Sequence, residues 1–86
     1  MNTATITEEI MRQVEARGPG KSICPSEVAQ ALAPDAWRGL LTLVRQAAAA
    51  LATEGQIDIL RKGKPVAPED MRGVIRLAAI RQKEPE

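Results

Sequence analysis

Residues 35–55, DAWRGLLTLVRQAAAALATEG, organise the rest of the chain, and their pattern predicts one long helix. Asp35 is suited to the start of that helix, because its carboxylate accepts unpaired backbone amides at the positive end of the helix dipole. Gly55 is suited to the left-handed conformation that ends many helices. Between them, apolar residues recur at helical spacing and predict a broad buried stripe: Trp37, Leu40, Leu41, Val44, Ala47, Ala48 and Leu51.

The opposite side of this helix is polar and basic near its start, and its residues are smaller further along. It carries Arg38, Thr42, Arg45, Gln46, Ala49 and Thr53, most of which are three or four residues apart. A helix with a buried back and an Arg/Thr/Gln front fits a DNA groove, and it equally fits a solvated surface. The sequence therefore leaves these two interpretations open.

Composition limits what the chain can build. Its 86 residues predict one small domain, and the single Trp, with no Phe or Tyr, predicts an aliphatic core. No run of eighteen apolar residues is present, so we expect no membrane span. The polar, acidic start MNTATITEEI is unlike a signal peptide, and one cysteine cannot form an internal disulfide. Both features favour a cytoplasmic protein.

The sequence contains no histidine, which removes histidine-based acid–base catalysis and histidine metal sites. Gly20-Lys21-Ser22 resembles the end of a phosphate-binding loop, but Glu15 stands where that motif needs its first glycine. Cys24 has no second cysteine with which to form a metal site or redox pair, so we expect a structural role for it. We therefore expect no catalysis, no cofactor and no metal.

Charge is distributed unevenly although the net charge is only +1. Residues 56–83 hold seven basic residues against three acidic ones, Asp58, Glu69 and Asp70. The basic residues are Arg61, Lys62, Lys64, Arg72, Arg76, Arg81 and Lys83. Such a local excess fits a phosphate backbone, and it also fits an ordinary solvated surface.

Two shorter helices precede the long one. Residues 5–17 predict the first, with Thr5 and Glu8 at capping-box spacing, Glu9 and Glu15 on the solvated surface, and a stop at residues 18–20. Residues 25–33 predict the second, with Cys24 at the cap, Pro25 at the first position and Glu27 as the capping-box acid. Ile23, between the two helices, fits a short strand.

Two strands follow the long helix. In residues 56–62, Ile57 and Ile59 alternate with Asp58 and Leu60, as in a half-buried strand, and residues 74–77 alternate again. The segment between them, 63–73, holds two Gly and two Pro and predicts a projecting loop. The predicted fold is α+β, a winged helix-turn-helix. It has three helices, a small antiparallel sheet and a wing loop, with one domain over residues 5–80 and a flexible tail over 81–86.

Three stretches carry a family resemblance: RGPGKSICPSEVAQAL, DAWRGLLTLVRQAAAALATEGQIDILRKGKPV and RGVIRL. Together they resemble the small bacterial domain-of-unknown-function family 3253, from about Ile10 to Leu77. The resemblance implies a winged-helix fold. It implies no activity and no site residues, because that family has no assigned function.

Two functions remain in view, both without catalysis. In the first, the protein binds double-stranded DNA as a regulator, with bases contacted by Arg38, Thr42, Arg45 and Gln46 and phosphates or a minor groove contacted by Arg61, Lys62, Lys64 and Arg72. In the second, it is a protein-docking or homodimerisation module, which small exposed residues around 47–50 would favour. Trp37 fits a core or edge anchor better than a base-stacking platform.

Overall fold

The computed structural model describes residues 2–18 and 20–80, which form three helices and a four-stranded antiparallel sheet. The predicted α+β class is confirmed. In chain order the elements are α1 (Thr3–Arg17), β1 (Ser22–Ile23), α2 (Pro25–Leu32), a 3₁₀ helix (Trp37–Leu40), α3 (Leu41–Thr53), β2 (Ile57–Arg61), β3 (Lys64–Val66), a second 3₁₀ helix (Pro68–Asp70) and β4 (Arg76–Ala79).

The strand order in the sheet is β1-β4-β2-β3, so the last strand of the chain lies between β1 and β2. Leu77 in β4 stands opposite Ile23 on one side and Ile59 on the other. These three side chains share the face that packs against the helices, and each is buried. The register therefore carries an aliphatic row across the sheet, because side chains on adjacent strands point to the same face at paired positions.

The core is aliphatic, as the composition predicts. One cluster joins the buried stripes of the three helices to the inner face of the sheet. Within the predicted stripe of α3, Val44, Ala47, Ala48 and Leu51 are buried. Trp37, Leu40 and Leu41 pack against the edge of the cluster and are only partly buried, which confirms Trp37 as an edge anchor.

The first helix starts earlier than the capping-box pattern predicts. Asn2 is the N-cap, and its Oδ1 accepts a 2.9 Å hydrogen bond from the backbone amide of Thr5. Thr5 is thus the third helical residue rather than the cap. Asn is at least as good a cap as Thr, and capping at Asn2 extends the helix by two residues beyond the predicted 5–17.

The second helix begins as predicted. Cys24 is its N-cap, Pro25 is the first helical residue, and the Glu27 carboxylate accepts a 3.0 Å hydrogen bond from the Cys24 amide. The Ser26 hydroxyl donates to the Cys24 sulfur at 3.1 Å, and the thiol is free and half-buried. The helix ends at Leu32, one residue before the predicted end.

Residues 35–55 do not form one continuous helix, and the prediction that Asp35 caps it is wrong. Asp35 lies in an exposed turn, and the 3₁₀ helix Trp37–Leu40, capped by Ala36, leads into α3 at Leu41. Tight turns of this kind are frequent at the N-termini of α-helices. The predicted C-terminus is confirmed: Gly55 has a φ of +76°, and the amide of Gln56 bonds back to the carbonyl of Leu51 at 2.9 Å.

The prediction of a single loop over 63–73 is also wrong. A two-residue turn at Lys62-Gly63 reverses the chain into β3, and the 3₁₀ helix Pro68–Asp70 follows. Pro65 is tolerated within β3 because β3 is an edge strand. The next strand is β4, which starts at Arg76 rather than at the predicted residue 74. The predicted tail, 81–86, lies outside the described residues.

Candidate functional site

A basic groove lies where the β2–β3 turn meets the segment that leads into β4. It encloses about 700 Å³ and is lined by the side chains of Arg61, Lys62, Arg72 and Arg76, together with Gly63, Gly73 and Val74. None of these described lining residues is acidic. We call this surface the basic groove. Its lining can attract an anion, because four basic residues and no carboxylate are among the residues that line it.

The turn beside the groove concentrates positive charge. Arg61 and Lys64 stand opposite each other in the register of the β2–β3 hairpin, and Lys62 lies between them at the tip. Like charges that face each other across a hairpin are destabilising, so this arrangement does not serve the stability of the strand pair. It presents three cations at one end of the sheet.

Two arginines hold the segment between β3 and β4 in place. The Arg45 guanidinium donates from Nη2 to the carbonyl of Met71 at 2.7 Å and from Nη1 to the carbonyl of Gly73 at 3.2 Å. The Arg61 Nη1 donates to the carbonyl of Asp70 at 3.0 Å. These contacts give Arg45 and Arg61 structural roles. Whether either residue also contacts a base or a phosphate stays a prediction.

The predicted base-reading face of α3 is partly occupied by this segment. Met71 lies over a shallow hollow of about 280 Å³ that Thr42, Arg45, Gln46 and Ala49 line. Thr42 and Gln46 are exposed, whereas Arg45 and Ala49 are half-buried. The front of α3 therefore offers two free polar side chains beside a basic residue that is already engaged.

A third hollow connects the α3 face to the basic groove. It encloses about 220 Å³ at the start of α2, and Arg45, Gly73 and Val74 are among its lining residues. Arg45 also lines the α3 hollow, and Gly73 and Val74 also line the basic groove. The three concavities thus adjoin, and no acidic residue is among the described residues that line them.

Arg38 and Lys64 lie outside these three concavities. The guanidinium of Arg38 stacks over the Trp37 ring, with its carbon 4.5 Å from the ring centre. Such a cation–π contact has a stabilising role of its own. Lys64 is exposed on β3. The structure therefore brings together six of the eight predicted site residues: Thr42, Arg45, Gln46, Arg61, Lys62 and Arg72.

Sequence reasoning missed Arg76, Val74 and Met71 as lining residues. Arg76 is anchored on the exposed face of β4, where its Nε donates to the Ser22 hydroxyl at 2.8 Å and its Nη2 to the Ser22 carbonyl at 3.0 Å. The signal for Arg76 was its place between two buried residues, Ile75 and Leu77, which puts it on the outer face. Nothing in the sequence signalled that Met71 would pack on α3.

Carboxylates are present near the groove, although they do not line it. Glu69 and Asp70 are exposed in the second 3₁₀ helix, and Asp58 lies on the outer face of β2. Within residues 2–18 and 20–80, no group of three or more His, Cys, Asp or Glu side chains is placed to hold a metal ion. Over the same residues, no helix is long and apolar enough to cross a membrane.

These observations define a small α+β domain that carries three adjoining concavities, each lined by at least one arginine. The model of the family described as a protein of unknown function, DUF3253, matches residues 3–80, and the chain belongs to that family. This match confirms the resemblance found in the sequence. No curated protein matches the chain.

Proposed function

We propose that this protein is a non-catalytic, winged-helix DNA-binding protein that holds a duplex against the basic groove and the exposed front of α3. The observation that carries the proposal is the basic groove itself, which is lined by four basic residues and by no carboxylate. A row of phosphates is the natural complement of such a surface, because phosphate contacts supply most of the affinity of proteins for DNA.

The winged-helix assignment is supported by the order of the elements. A helix, a short strand, two helices and a terminal strand pairing follow one another, and the paired strands β2 and β3 close with a basic turn. In the winged-helix arrangement, the third helix enters the major groove and the strand turn contacts the flanking backbone. The hairpin tip at Lys62 would then be the wing, in place of the long loop expected from the sequence.

The proposed site divides into two parts with different tasks. Lys62, Arg72 and Lys64 bind phosphates, because each is an exposed cation at or beside the groove whose side chain makes no hydrogen bond to the described residues. Thr42 and Gln46 contact base edges, because both are exposed on the front of α3. Arg45 and Arg38 are more constrained, since one holds residues 71–73 and the other stacks on Trp37.

The test is a salt titration of binding to a random-sequence duplex, followed by fluorescence anisotropy. We expect measurable binding at low salt, with affinity that falls linearly with salt on logarithmic axes. Lys62→Gln and Arg72→Gln should each weaken binding to every sequence and lower the slope by about 0.9, the contribution of one phosphate contact.

Arg12→Gln is the matched control, because it removes one positive charge from α1, away from the three concavities. The glutamine side chain keeps an amide donor beside Glu9, so the variant should retain the fold. If Arg12→Gln lowers the affinity as much as Lys62→Gln, binding follows net charge alone and the proposed site is wrong. If the wild-type protein does not bind a duplex at low salt, the DNA-binding proposal fails and a protein partner becomes the working alternative.

The protein-docking alternative has less support from the structure. It depended on an exposed run of small residues around 47–50 for close helix approach. Ala47 and Ala48 are buried in the domain's own core, and Ala49 is half-buried beside Met71. Only part of that run is therefore available to a second chain.

A further inference from the structure

Val74 is the most exposed large hydrophobic residue among those described, with 83% of its surface accessible. A single exposed apolar residue is ordinary on a protein surface. Val74 differs because of its surroundings: it lines the basic groove together with Arg61, Lys62, Arg72 and Arg76. An exposed apolar side chain among basic residues fits a ligand that offers both anionic groups and apolar surface.

The backbone on both sides of Val74 is held in place. The carbonyl of the preceding residue, Gly73, accepts a hydrogen bond from Arg45, and Gly73 itself has a φ of +71°, a conformation that glycine adopts readily. The following residue, Ile75, is buried in the core with 1% exposure. Val74 is thus presented by an ordered segment, and little conformational entropy remains to be lost when it becomes buried against a ligand.

From this arrangement we propose that Val74 is an apolar wedge that enters the minor groove of duplex DNA, while the cations around it contact the phosphates on either side. This inference rests on the proposed function and adds the groove and the element that enters it. A minor groove has the required chemistry, since rows of phosphates border a floor of sugars and base edges. Proteins that bind there commonly insert an apolar side chain at a base step beside Arg or Lys contacts.

The minor-groove contact would be made by the segment Arg72-Gly73-Val74-Ile75-Arg76. Arg72 and Arg76 lie two residues to either side of the wedge, and both line the groove. Arg76 is fixed to Ser22 at one end of this segment, and Arg45 fixes Gly73 within it. The segment can therefore approach a duplex as a preformed unit. The hairpin tip at Lys62, which lines the same groove, would add a further contact to the DNA backbone.

The experiment uses an A·T-rich duplex with 2-aminopurine at one strand position, because the fluorescence of this base rises when its stacking is disturbed. Binding is measured by anisotropy on the same duplex for wild type, Val74→Ala and Leu43→Ala. Leu43 is the matched control: it is an apolar residue, 42% exposed on α3, that lines none of the three concavities.

We expect wild type and Leu43→Ala to raise the 2-aminopurine signal equally. Val74→Ala should bind about tenfold more weakly, the loss expected for two fewer buried methyl groups, and should leave the 2-aminopurine signal near that of free duplex. The slope of its affinity against salt should equal that of wild type, because no phosphate contact is removed.

Several results would overturn the wedge. One is duplex binding by Val74→Ala with wild-type affinity; in that case the proposed DNA-binding function survives, provided that Lys62→Gln and Arg72→Gln still weaken binding. Another is wild-type binding without any rise in the 2-aminopurine signal. A third is tighter binding to anionic phospholipid vesicles than to duplex at equal phosphate concentration, which would assign the basic groove and Val74 to a membrane surface. Absence of duplex binding by wild type would remove the proposed function and the wedge together.

Discussion

Arg45 Nη2 donates a 2.7 Å hydrogen bond to the carbonyl oxygen of Met71, which ties the middle of α3 to the segment between β3 and β4. The same guanidinium holds Gly73 through Nη1. One side chain on the predicted recognition face thus positions the residues that line the basic groove. Arg45 therefore links the two parts of the proposed site.

Arg45→Leu should loosen residues 71–74 more than it destabilises the domain. Because the guanidinium is half-buried and donates to two carbonyls, we expect a loss of about 1 kcal/mol in the free energy of unfolding. Amide hydrogen exchange should accelerate in residues 71–75 and change little in α1. Thr42→Ala, one turn earlier on the same face, is the control. Unchanged exchange in residues 71–75 would show that the segment holds its position without Arg45.

The core should respond to truncation as the burial of the sheet predicts. Ile59 and Leu77 stand opposite each other and are 1% and 0% exposed. Removing either side chain by Ile59→Ala or Leu77→Ala should cost about 2–5 kcal/mol in urea denaturation, because the cavity that is left cannot collapse fully. Leu43→Ala, at an exposed position, should change stability by less than a quarter of that amount. Equal losses at all three positions would contradict the assigned strand faces.

Those strand faces could be predicted from the sequence, because Ile57 and Ile59 share one face and Asp58 lies on the other, so only one face is suited to the core. The α2 cap and the end of α3 were also predictable, since Pro25, Glu27 and Gly55 act through local backbone chemistry. The start of α3 was not predictable in the same way. Asp35 has the right chemistry for a cap, but the chain passes it in a turn and enters the helix through Trp37–Leu40.

The candidate site was harder to predict than the core. Its cations could be found by counting charges, and six of the eight predicted residues do line one connected surface. The roles of Arg45 and Arg61 could not be found in that way, because their carbonyl partners come from a segment of Gly and Pro with no periodicity. The alternation of residues 74–77 predicts that Val74 is a strand residue, but β4 begins at Arg76 and leaves Val74 outside the sheet.

Glu9 provides a prediction about pH. The sequence predicted a solvated carboxylate, but only 14% of its side chain is exposed. It accepts hydrogen bonds from Arg12 Nε at 3.1 Å and from Gln13 Nε2 at 2.7 Å, and Gln13 also donates to the Glu27 carbonyl in α2. The hydrogen bond from Arg12, followed by that from Gln13, lowers the pKa of Glu9 below its ordinary value of 4.5.

Because the folded pKa is lowered, the ionised carboxylate stabilises the fold above pH 4.5, and that stability is lost as the pH falls through the lowered pKa. Glu9→Gln should therefore be less stable than wild type at pH 7, and the difference should shrink at pH 3. Urea midpoints at the two pH values provide the measurement. Glu15→Gln, on the exposed side of the same helix, should show a smaller change. A Glu9→Gln difference that does not vary with pH would exclude the ionised carboxylate as its cause.

Lys62 allows stability and binding to be separated. It is the one described non-glycine residue with a positive φ, +54°, and with Gly63 at +82° it forms the two-residue turn between β2 and β3. Both positive values are typical of a type I′ turn, in which Asn-Gly is the favoured pair. Lys62→Asn should therefore raise the free energy of unfolding by roughly 0.5 kcal/mol, because asparagine adopts the left-handed conformation at lower cost than lysine.

The same substitution should weaken duplex binding, because it removes a cation from the tip of the hairpin. Urea denaturation and anisotropy on one protein preparation measure the two effects, which we expect to have opposite signs. Lys64→Asn is the control, because it removes an equal charge from a strand position. There the poor strand propensity of asparagine opposes the relief of repulsion from Arg61, so binding should fall without the gain in stability expected for Lys62→Asn. If Lys62→Asn increases stability and leaves the affinity for duplex unchanged, the charge at the hairpin tip makes no contact with DNA.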